Sequence, residues 1–364
     1  MKVLVLATDY PNNDGHVTLM YIHSRNVYYQ KHGIDVTVLN FSANSSYQYQ
    51  NISVISLADY EAKNDKYDIL ICHAANLRNH YKFLKKYGAL FPHFVFFFHG
   101  HEVLRIRETY STPYSYVKKR KISDSFVQDI YDSYKLKIWR NYFPKVKGKS
   151  TLIFVSVWMK NKFKKYVGID PDTFETYIIH NNVGEVFQSE SYDSECEKKY
   201  DFITIRSNID GSKYCIDVVN RLANENPSLS FCVVGEGDYF EHNEKAANIE
   251  WVNRSLKHAE IPAFLNSSKC ALMPTRLDAQ GVMMCEMATY GIPVITSDID
   301  ICQEVSTIFE NMLMINNEKT VDLNMVLDKT KGIGIVEKNK TLFSENTVGK
   351  EVSILKELIN GKQS

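Results

Sequence analysis

The sequence predicts an α/β protein built from two domains, each with a doubly wound parallel sheet. Short apolar segments typical of strands alternate with helix-like segments in both halves of the chain, and a polar, acidic stretch separates the halves. In addition, a chain of 364 residues exceeds the usual size of a domain with a single hydrophobic core, which predicts two domains.

The first half opens with a strand–helix–strand pattern. The apolar run Lys2–Thr8 predicts a strand, the helical spacing of Val17–His32 predicts a helix that ends at Gly33, and Asp35–Asn40 predicts the next strand. Such a unit implies a parallel sheet with helices on both faces. Further strands are predicted at Tyr67–Cys72, His93–His99, Thr151–Ser156 and Thr176–His180.

Residues 188–200 predict a linker because they are polar and offer little to bury. We therefore expect a first domain at 1–187 and a second at 201–343, with a C-terminal helix at 344–364 that joins the first domain. Within the second domain we predict helices at Lys213–Glu225 and Val282–Tyr290, and strands at Phe202–Arg206, Ser230–Val234, Glu250–Val252, Cys270–Met273 and Pro293–Thr296.

Composition narrows the classes of protein that this chain can represent. Lys plus Arg and Asp plus Glu are both 43, so net charge predicts no nucleic-acid partner. The seven cysteines are odd in number and lack C-x-x-C spacing, which favours a reducing compartment. The amino terminus does not resemble a signal peptide, and no apolar run reaches the roughly 18 residues of a membrane span. We expect a cytoplasmic protein.

The segment from Asp278 to Ile295 carries the most chemical information. Gly281 opens a predicted helix, and the free N–H groups and dipole at a helix start form an anion site. Glu286 lies about one and a half turns further on, where a carboxylate suits vicinal hydroxyls such as those of a ribose. The alternative is a plain α/β crossover with Glu286 exposed.

This segment resembles the signature of the retaining GT-B glycosyltransferases, family 4. Their pattern is Glu-x7-Glu, and Glu-Ala-Met-Ala-x-Gly-x-Pro-Val-Ile follows from the second Glu. Here Asp278 replaces the first Glu with a side chain one methylene shorter, and residues 286–295 follow the rest closely. Residues 97–100, 178–183 and 233–237 resemble further family segments in chain order. The resemblance implies two Rossmann-like domains that face a central cleft.

The resemblance also implies which residues form the site. Arg206 and Lys213 flank the first turn of the second domain and would bind the donor's diphosphate, where fixed cations stabilise a departing anion. Gly15 is either a donor-loop glycine or a plain turn glycine. The implied catalytic residues are His99, Asp278 and Glu286, and the implied donor-binding residues are Gly15, Arg206, Lys213, Gly235, Gly281, Val282 and Glu286.

In the resemblance, a nucleotide sugar such as a UDP- or GDP-sugar donates a hexose with retention, and the β-phosphate oxygen accepts the acceptor's proton. No cofactor or metal is expected, and Asp298-Ile299-Asp300 is interpreted as a turn. The expected acceptor is a saccharide or a lipid-linked saccharide in cell-surface polysaccharide synthesis. The alternatives are a nucleotide-sugar epimerase, an inverting GT-B enzyme, and a non-catalytic carbohydrate-binding or assembly subunit.

Residues 105–165 are unusually basic, with 16 Lys and Arg against 4 Asp and Glu. Aromatic residues interleave with these charges, a combination that suits an anionic membrane surface. We therefore expect peripheral binding at the inner face of the membrane, with Lys118, Lys119, Arg120 and Lys121 as one patch. The alternative is a solvated basic face.

Overall fold

The computed structural model describes residues 1–15, 18–63, 65–117, 122–331 and 337–361. The chain divides into two compact units. The first comprises Met1–Arg105, Asp129–Asn181 and Ser344–Ser364, and the second comprises Ile106–Gln128 and Asn182–Phe343.

Strands and helices alternate along both units. The strands are β1 Lys2–Ala7, β2 Asp35–Asn40, β3 Tyr47–Tyr49, β4 Ile52–Ile55, β5 Ile69–His73, β6 His93–Phe98, β7 Ser150–Phe154, β8 Glu175–Ile178, β9 Tyr200–Asn208, β10 Phe231–Glu236, β11 Ile249–Val252, β12 Ser268–Met273, β13 Val294–Ser297 and β14 Met312–Ile315. The α-helices are α1 Met20–Lys31, α2 Leu57–Lys63, α3 Lys82–Tyr87, α4 Ile106–Thr109, α5 Ile122–Val146, α6 Val157–Val167, α7 Glu185–Ser189, α8 Ile216–Glu225, α9 Tyr239–His242, α10 Ile261–Asn266, α11 Val282–Tyr290, α12 Asp300–Ser306, α13 Leu323–Lys331 and α14 Val348–Asn360.

The first unit contains an eight-stranded sheet in the order β3-β4-β2-β1-β5-β6-β7-β8. All of its pairings are parallel except β3 with β4. The central strand β1 is fully buried from Val3 to Ala7, as expected for a parallel strand that helices cover on both faces. The C-terminal helix α14 belongs to this unit because Val348, Val352 and Leu355 share its core.

The second unit contains a six-stranded parallel sheet in the order β11-β10-β9-β12-β13-β14. Strand order reverses between β9 and β12, as it does between β1 and β5 in the first unit. Ligands of open α/β sheets bind beyond the carboxyl ends of the strands at such a switch point.

The structure agrees with most of the predicted elements. Strand β2 and helix α11 have the predicted bounds, and Gly291 ends α11 in a left-handed conformation. The sequence does not predict β3, β4 or β14, although β8, β11 and β13 also have only four residues and are predicted.

The predicted domain boundaries differ from the observed division. Residues 182–200 lie in the second unit, where Tyr192 donates from its hydroxyl to the Ser268 carbonyl at 2.8 Å and 185–189 form α7. The second unit also includes residues 106–128 from within the predicted first domain. There the Tyr114 hydroxyl donates to Asp217 at 2.8 Å, a contact that only the folded chain creates.

Candidate functional site

The carboxyl edge of the second sheet gathers the candidate residues of that unit. Arg206 lies near the end of β9, Gly235 near the end of β10, and Asp278 in the loop after β12. Helix α11 then carries Glu286. The β9–β12 switch point therefore coincides with the predicted donor-binding residues, whose roles stay predictions.

Arg206 is buried but incompletely paired. Its Nη2 donates to the carbonyl of Pro274 at 2.7 Å, whereas its Nε is buried without a hydrogen-bond partner among the described residues. Burial lowers the pKa of Arg206, and the negative charge of Asp278 opposes that shift. Because an arginine stays protonated in proteins, the edge contains a buried cation with an unused donor. An anionic ligand would supply the missing partner.

Lys213 lies in the turn between β9 and α8, and its side chain lies over the Tyr214 ring, as that of Arg206 does. Its Nζ is 4.6 Å from the centre of the Tyr214 ring, and the Arg206 guanidinium is 5.0 Å from that centre. The Lys213 carbonyl accepts the backbone N–H of Arg276 at 2.8 Å, which ties this turn to the loop after β12. Among the described carboxylates, none forms an ion pair with Lys213. Two positively charged side chains that could contact an anionic ligand therefore lie over the Tyr214 ring.

Gly235 allows β9 and β10 to approach each other. Its φ is +154°, and a Cβ there would lie 2.4 Å from the carbonyl oxygen of Arg206 and 2.8 Å from Cγ2 of Ile209. No side chain fits in that space, so glycine is required where β10 passes Arg206.

Gly281 starts helix α11 with a φ of +77° and no side-chain cap. Val282, the first helical residue, is 36% exposed, so the helix start is open to solvent. Oδ1 of Asp278 accepts the N–H groups of Ala279 and Gln280 at 2.8 and 3.3 Å. Asp278, whose side chain is one methylene shorter than Glu, is thus held by hydrogen bonds within its own turn. The turn lies next to a helix N-terminus without a side-chain cap, which attracts anions.

Glu286 is buried, with 3% of the residue exposed, so its alternative interpretation as an exposed helix residue is wrong. Its Oε1 accepts the N–H of Gly184 at 2.9 Å, and no described residue donates to its Oε2. Burial raises the pKa of Glu286 to about 7, although the hydrogen bond from Gly184 favours the charged form. Glu286 therefore changes charge near neutral pH.

Gly15 and His99 belong to the first unit. Gly15 follows β1 with a φ of +92°, and no described atom lies within 4 Å of a Cβ built on it. His99 follows β6, and its Nε2 lies 3.1 Å from Nδ1 of His73. The backbone N–H groups of His99 and Gly100 donate to the carboxylate of Glu102.

Nothing in the sequence predicted the buried polar network around Arg25 in the first unit. Arg25 is fully buried, donates to Glu351 at 3.1 Å and to Asn181 at 2.9 Å, and lies 5.7 Å from the centre of the Phe97 ring. Residues 25 and 351 are 326 positions apart, so no local pattern could have paired them.

Other features of the described chain lie apart from this site. No group of three or more His, Cys, Asp or Glu residues is arranged to hold a metal within the described ranges. Oδ1 of Asp298 accepts from Gln303 at 2.7 Å. A cavity of about 1300 Å³ lies at the opposite, amino-terminal edge of the second sheet, beside Asp201 and Lys269. No described helix is long and apolar enough to cross a bilayer.

In fold, the chain resembles solved structures of GT-B glycosyltransferases. Sucrose-phosphate synthase from Thermosynechococcus elongatus superimposes with a TM-score of 0.70 at 12% identity, over 99% of each chain. A glycosyltransferase from Rickettsia africae gives 0.66 at 12% identity over 98% of each chain. Anabaena HepE, in complex with UDP and glucose, gives 0.60 at 12% identity over 100% of this chain and 97% of that one. The predicted fold class, two Rossmann-like domains of the GT-B type, is confirmed.

The family match lies in the second unit. Residues 202–325 match the family described as glycosyl transferases group 1, which confirms the likeness to a glycosyltransferase family that residues 278–295 indicated, whereas retention and family 4 stay predictions. The matched range contains Arg206, Lys213, Gly235, Asp278 and Glu286. A search of curated protein sequences found no significant match.

Proposed function

We propose that this protein is a retaining hexosyltransferase that transfers a sugar from a nucleoside-diphosphate donor to a saccharide or lipid-linked acceptor. The observation that carries the proposal is the pair of cations Arg206 and Lys213 on the Tyr214 ring, at the edge where α11 starts without a cap. Bond cleavage in such a donor leaves negative charge on a diphosphate, and fixed cations stabilise that charge as it develops.

Each remaining donor contact has a matching group in the second unit. The uncapped N–H groups after Gly281 suit a phosphate oxygen. In its charged form, Glu286 accepts hydrogen bonds from ribose hydroxyls, because its Oε2 has no described donor. Asp278 would hold hydroxyls of the transferred sugar. The UDP and glucose named for HepE support a UDP-sugar as the first donor to test.

The proposed reaction needs no protein nucleophile. The β-phosphate oxygen accepts the proton of the acceptor hydroxyl on the face from which the diphosphate leaves. Oxygen then bonds to the anomeric carbon as the sugar–phosphate bond breaks. The resemblance of residues 278–295 to the retaining family supports this stereochemical outcome, and we propose cell-surface polysaccharide synthesis as the pathway class.

A thermal-shift screen of the full chain over UDP-, GDP- and ADP-sugars tests the donor site. A ligand at 100 times its Kd adds about 2.7 kcal/mol to the free energy of unfolding. We expect one nucleotide class to shift the midpoint in the native chain and not in the Arg206→Ala variant. No shift with any nucleotide would contradict the proposal.

Product analysis separates the proposed activity from its alternatives. Slow hydrolysis of the bound donor without acceptor would exclude a binding subunit. Proton NMR of the released sugar, recorded before mutarotation, should show the anomeric configuration of the donor. The opposite anomer would indicate an inverting enzyme, and a donor sugar with changed ring stereochemistry would indicate an epimerase.

We also propose peripheral binding to an anionic membrane, which helix α5 supports. Five large apolar or aromatic side chains near its start are between 43% and 63% exposed: Phe126, Val127, Ile130, Tyr131 and Tyr134. Their spacing of about four residues places them along one side of the helix. The four basic residues of the predicted patch, Lys118–Lys121, lie outside the described residues. Aromatic side chains beside basic sequence suit a headgroup layer.

Co-sedimentation with anionic and neutral liposomes across a salt series tests this proposal. We expect binding to anionic liposomes only, with loss at high salt because exposed charges are screened. Ile130→Glu should abolish it, whereas Met325→Glu, at a side chain that is 59% exposed on α13, should not. If the two variants bound liposomes equally, the basic residues of 105–165 would be interpreted as a solvated face.

A further inference from the structure

Two histidines meet at the carboxyl edge of the first sheet. His73 ends β5, His99 follows the neighbouring parallel strand β6, and Nδ1 of His73 lies 3.1 Å from Nε2 of His99. His73 is 2% exposed, and no residue in the described ranges bonds its second nitrogen, Nε2, which is buried. His99 is half-buried, and no described residue bonds its Nδ1.

Both rings are neutral at physiological pH. Burial lowers the pKa of each well below the ordinary histidine value, and the positive charge of Arg25 lowers both further. Phe97 separates these groups: its ring stacks 4.3 Å from His73 and lies 5.7 Å from the Arg25 guanidinium. Because a neutral imidazole has one N–H and one lone pair, the bond between the histidines has two arrangements.

The two arrangements leave different atoms of His73 unsatisfied. If His99 donates from Nε2, the lone N–H of His73 sits on the buried Nε2 and has no acceptor. If His73 donates from Nδ1, its buried Nε2 is only an unused acceptor. Buried N–H groups without partners are the rarer of the two in folded proteins. The second arrangement is therefore favoured, and it places the single proton of His99 on Nδ1.

We propose that His73 is a positioning residue that fixes His99 in the Nδ1–H tautomer, so that His99 donates a hydrogen bond to a hydroxyl oxygen of a saccharide bound at the carboxyl edge of the first sheet. This inference rests on the proposed function for the identity of the ligand. His99 then acts as a donor and not as a general base, because His73 occupies its Nε2 lone pair. A sugar that lacks the recognised oxygen leaves the Nδ1–H without an acceptor and binds more weakly.

The tautomer is measurable without any substrate. Two-bond ¹H–¹⁵N correlation spectra of the histidine-labelled chain distinguish a protonated from an unprotonated ring nitrogen. We expect Nδ1 of His99 to be protonated and Nε2 unprotonated in the native chain and in His73→Asn, whose side-chain amide can still donate. In His73→Leu the proton should move to Nε2. His80→Asn, at another fully buried histidine of this unit, should leave the His99 signals unchanged.

Kinetics provide a second readout. His73→Leu should lower kcat for sugar transfer by about tenfold, as for one lost hydrogen bond, and His73→Asn should restore most of it. A native His99 with its proton on Nε2, or an unchanged tautomer in His73→Leu, would overturn the inference. A correct tautomer without any nucleotide binding would instead overturn the proposed function and leave the positioning role of His73 intact.

Discussion

The carboxyl edges of the two sheets each contain a buried arginine, and the two arginines differ in how completely they are paired. In the first unit, Arg25 donates to Glu351, to Asn181 and to the carbonyl of Tyr21. In the second unit, Arg206 donates to one carbonyl, and its buried Nε has no partner in the part of the chain that the structure describes.

The difference shows how to separate a structural cation from a binding one. A buried charge with all its hydrogen bonds satisfied within the protein has little left to offer a ligand, and removing one partner is costly. A buried charge with an unused donor is stabilised further when an anion arrives. Arg25 therefore anchors α14 to the first unit, whereas Arg206 keeps an unused donor that could serve the anionic ligand proposed above.

The largest expected effect comes from breaking the satisfied network. Glu351→Gln leaves the Arg25 guanidinium buried without a countercharge, and it should lower the free energy of unfolding by about 3–5 kcal/mol. Urea denaturation measures this loss. Glu61→Gln, which breaks an exposed ion pair with Lys86, should leave the urea midpoint unchanged. Similar midpoints for both variants would remove the contrast between the two arginines.

Removing a cation from the open edge should affect rate more than stability. Lys213→Ala should lower kcat by a factor equivalent to about 2–4 kcal/mol of barrier, as for other fixed charges at a developing anion. Lys213→Arg should retain part of the activity, because it keeps the charge. Steady-state kinetics with the best donor provides the measurement, and a normal kcat in Lys213→Ala would show that Lys213 has no role in the departing charge.

Substitution of one glycine at each sheet edge tests how closely the backbone is packed there. Gly235→Ala should destabilise the protein by about 2–4 kcal/mol, because its new Cβ would meet the Arg206 carbonyl in addition to straining the backbone. Gly15→Ala should cost about 1 kcal/mol, from backbone strain alone. Thermal unfolding of both variants checks the difference. Equal losses would mean that β10 shifts to accommodate the methyl group.

Glu286 should make donor binding depend on pH. Since its pKa is raised to about 7, the carboxylate becomes protonated as pH falls through 7, and donor KM should rise by up to about tenfold per pH unit below that point. The folded state also binds this proton more tightly than the unfolded chain does. The stability that proton binding to Glu286 contributes is therefore lost as pH rises from about 4.5 to 7. Glu286→Gln should raise donor KM and flatten both profiles. A KM profile in the variant that matches the native one would exclude the ribose contact.

The smallest expected effect is that of chelation. If Arg206, Lys213 and the start of α11 stabilise the diphosphate, activity should survive EDTA. Loss of activity with EDTA and recovery with Mn²⁺ or Mg²⁺ would assign that task to a cation and return Asp298 and Asp300 to consideration as ligands.

Local signals explain why much of this protein was predictable. Strand β2, helix α11 and its terminating Gly291 follow from apolar spacing and from the conformational freedom of glycine, which neighbours in sequence express directly. The signature at 278–295 indicated a glycosyltransferase, because consecutive residues there serve one loop and one helix. Residues 106–117, by contrast, join the second unit through contacts such as that of Tyr116 with Asp210, which spans 94 positions.

The sequence by itself determined the α/β class, the presence of two sheets and the residue types at the carboxyl edge of the second one. Only the tertiary structure decided which polar groups are satisfied. It buried Glu286 and so raised its pKa, and it paired Arg25 with a residue 326 positions away. It also left Nε of Arg206 and Nε2 of His73 without partners among the residues that the structure describes. The physical reason is that burial and hydrogen-bond satisfaction depend on every chain segment that surrounds a group, whereas helix and strand periodicity depend on its neighbours in sequence.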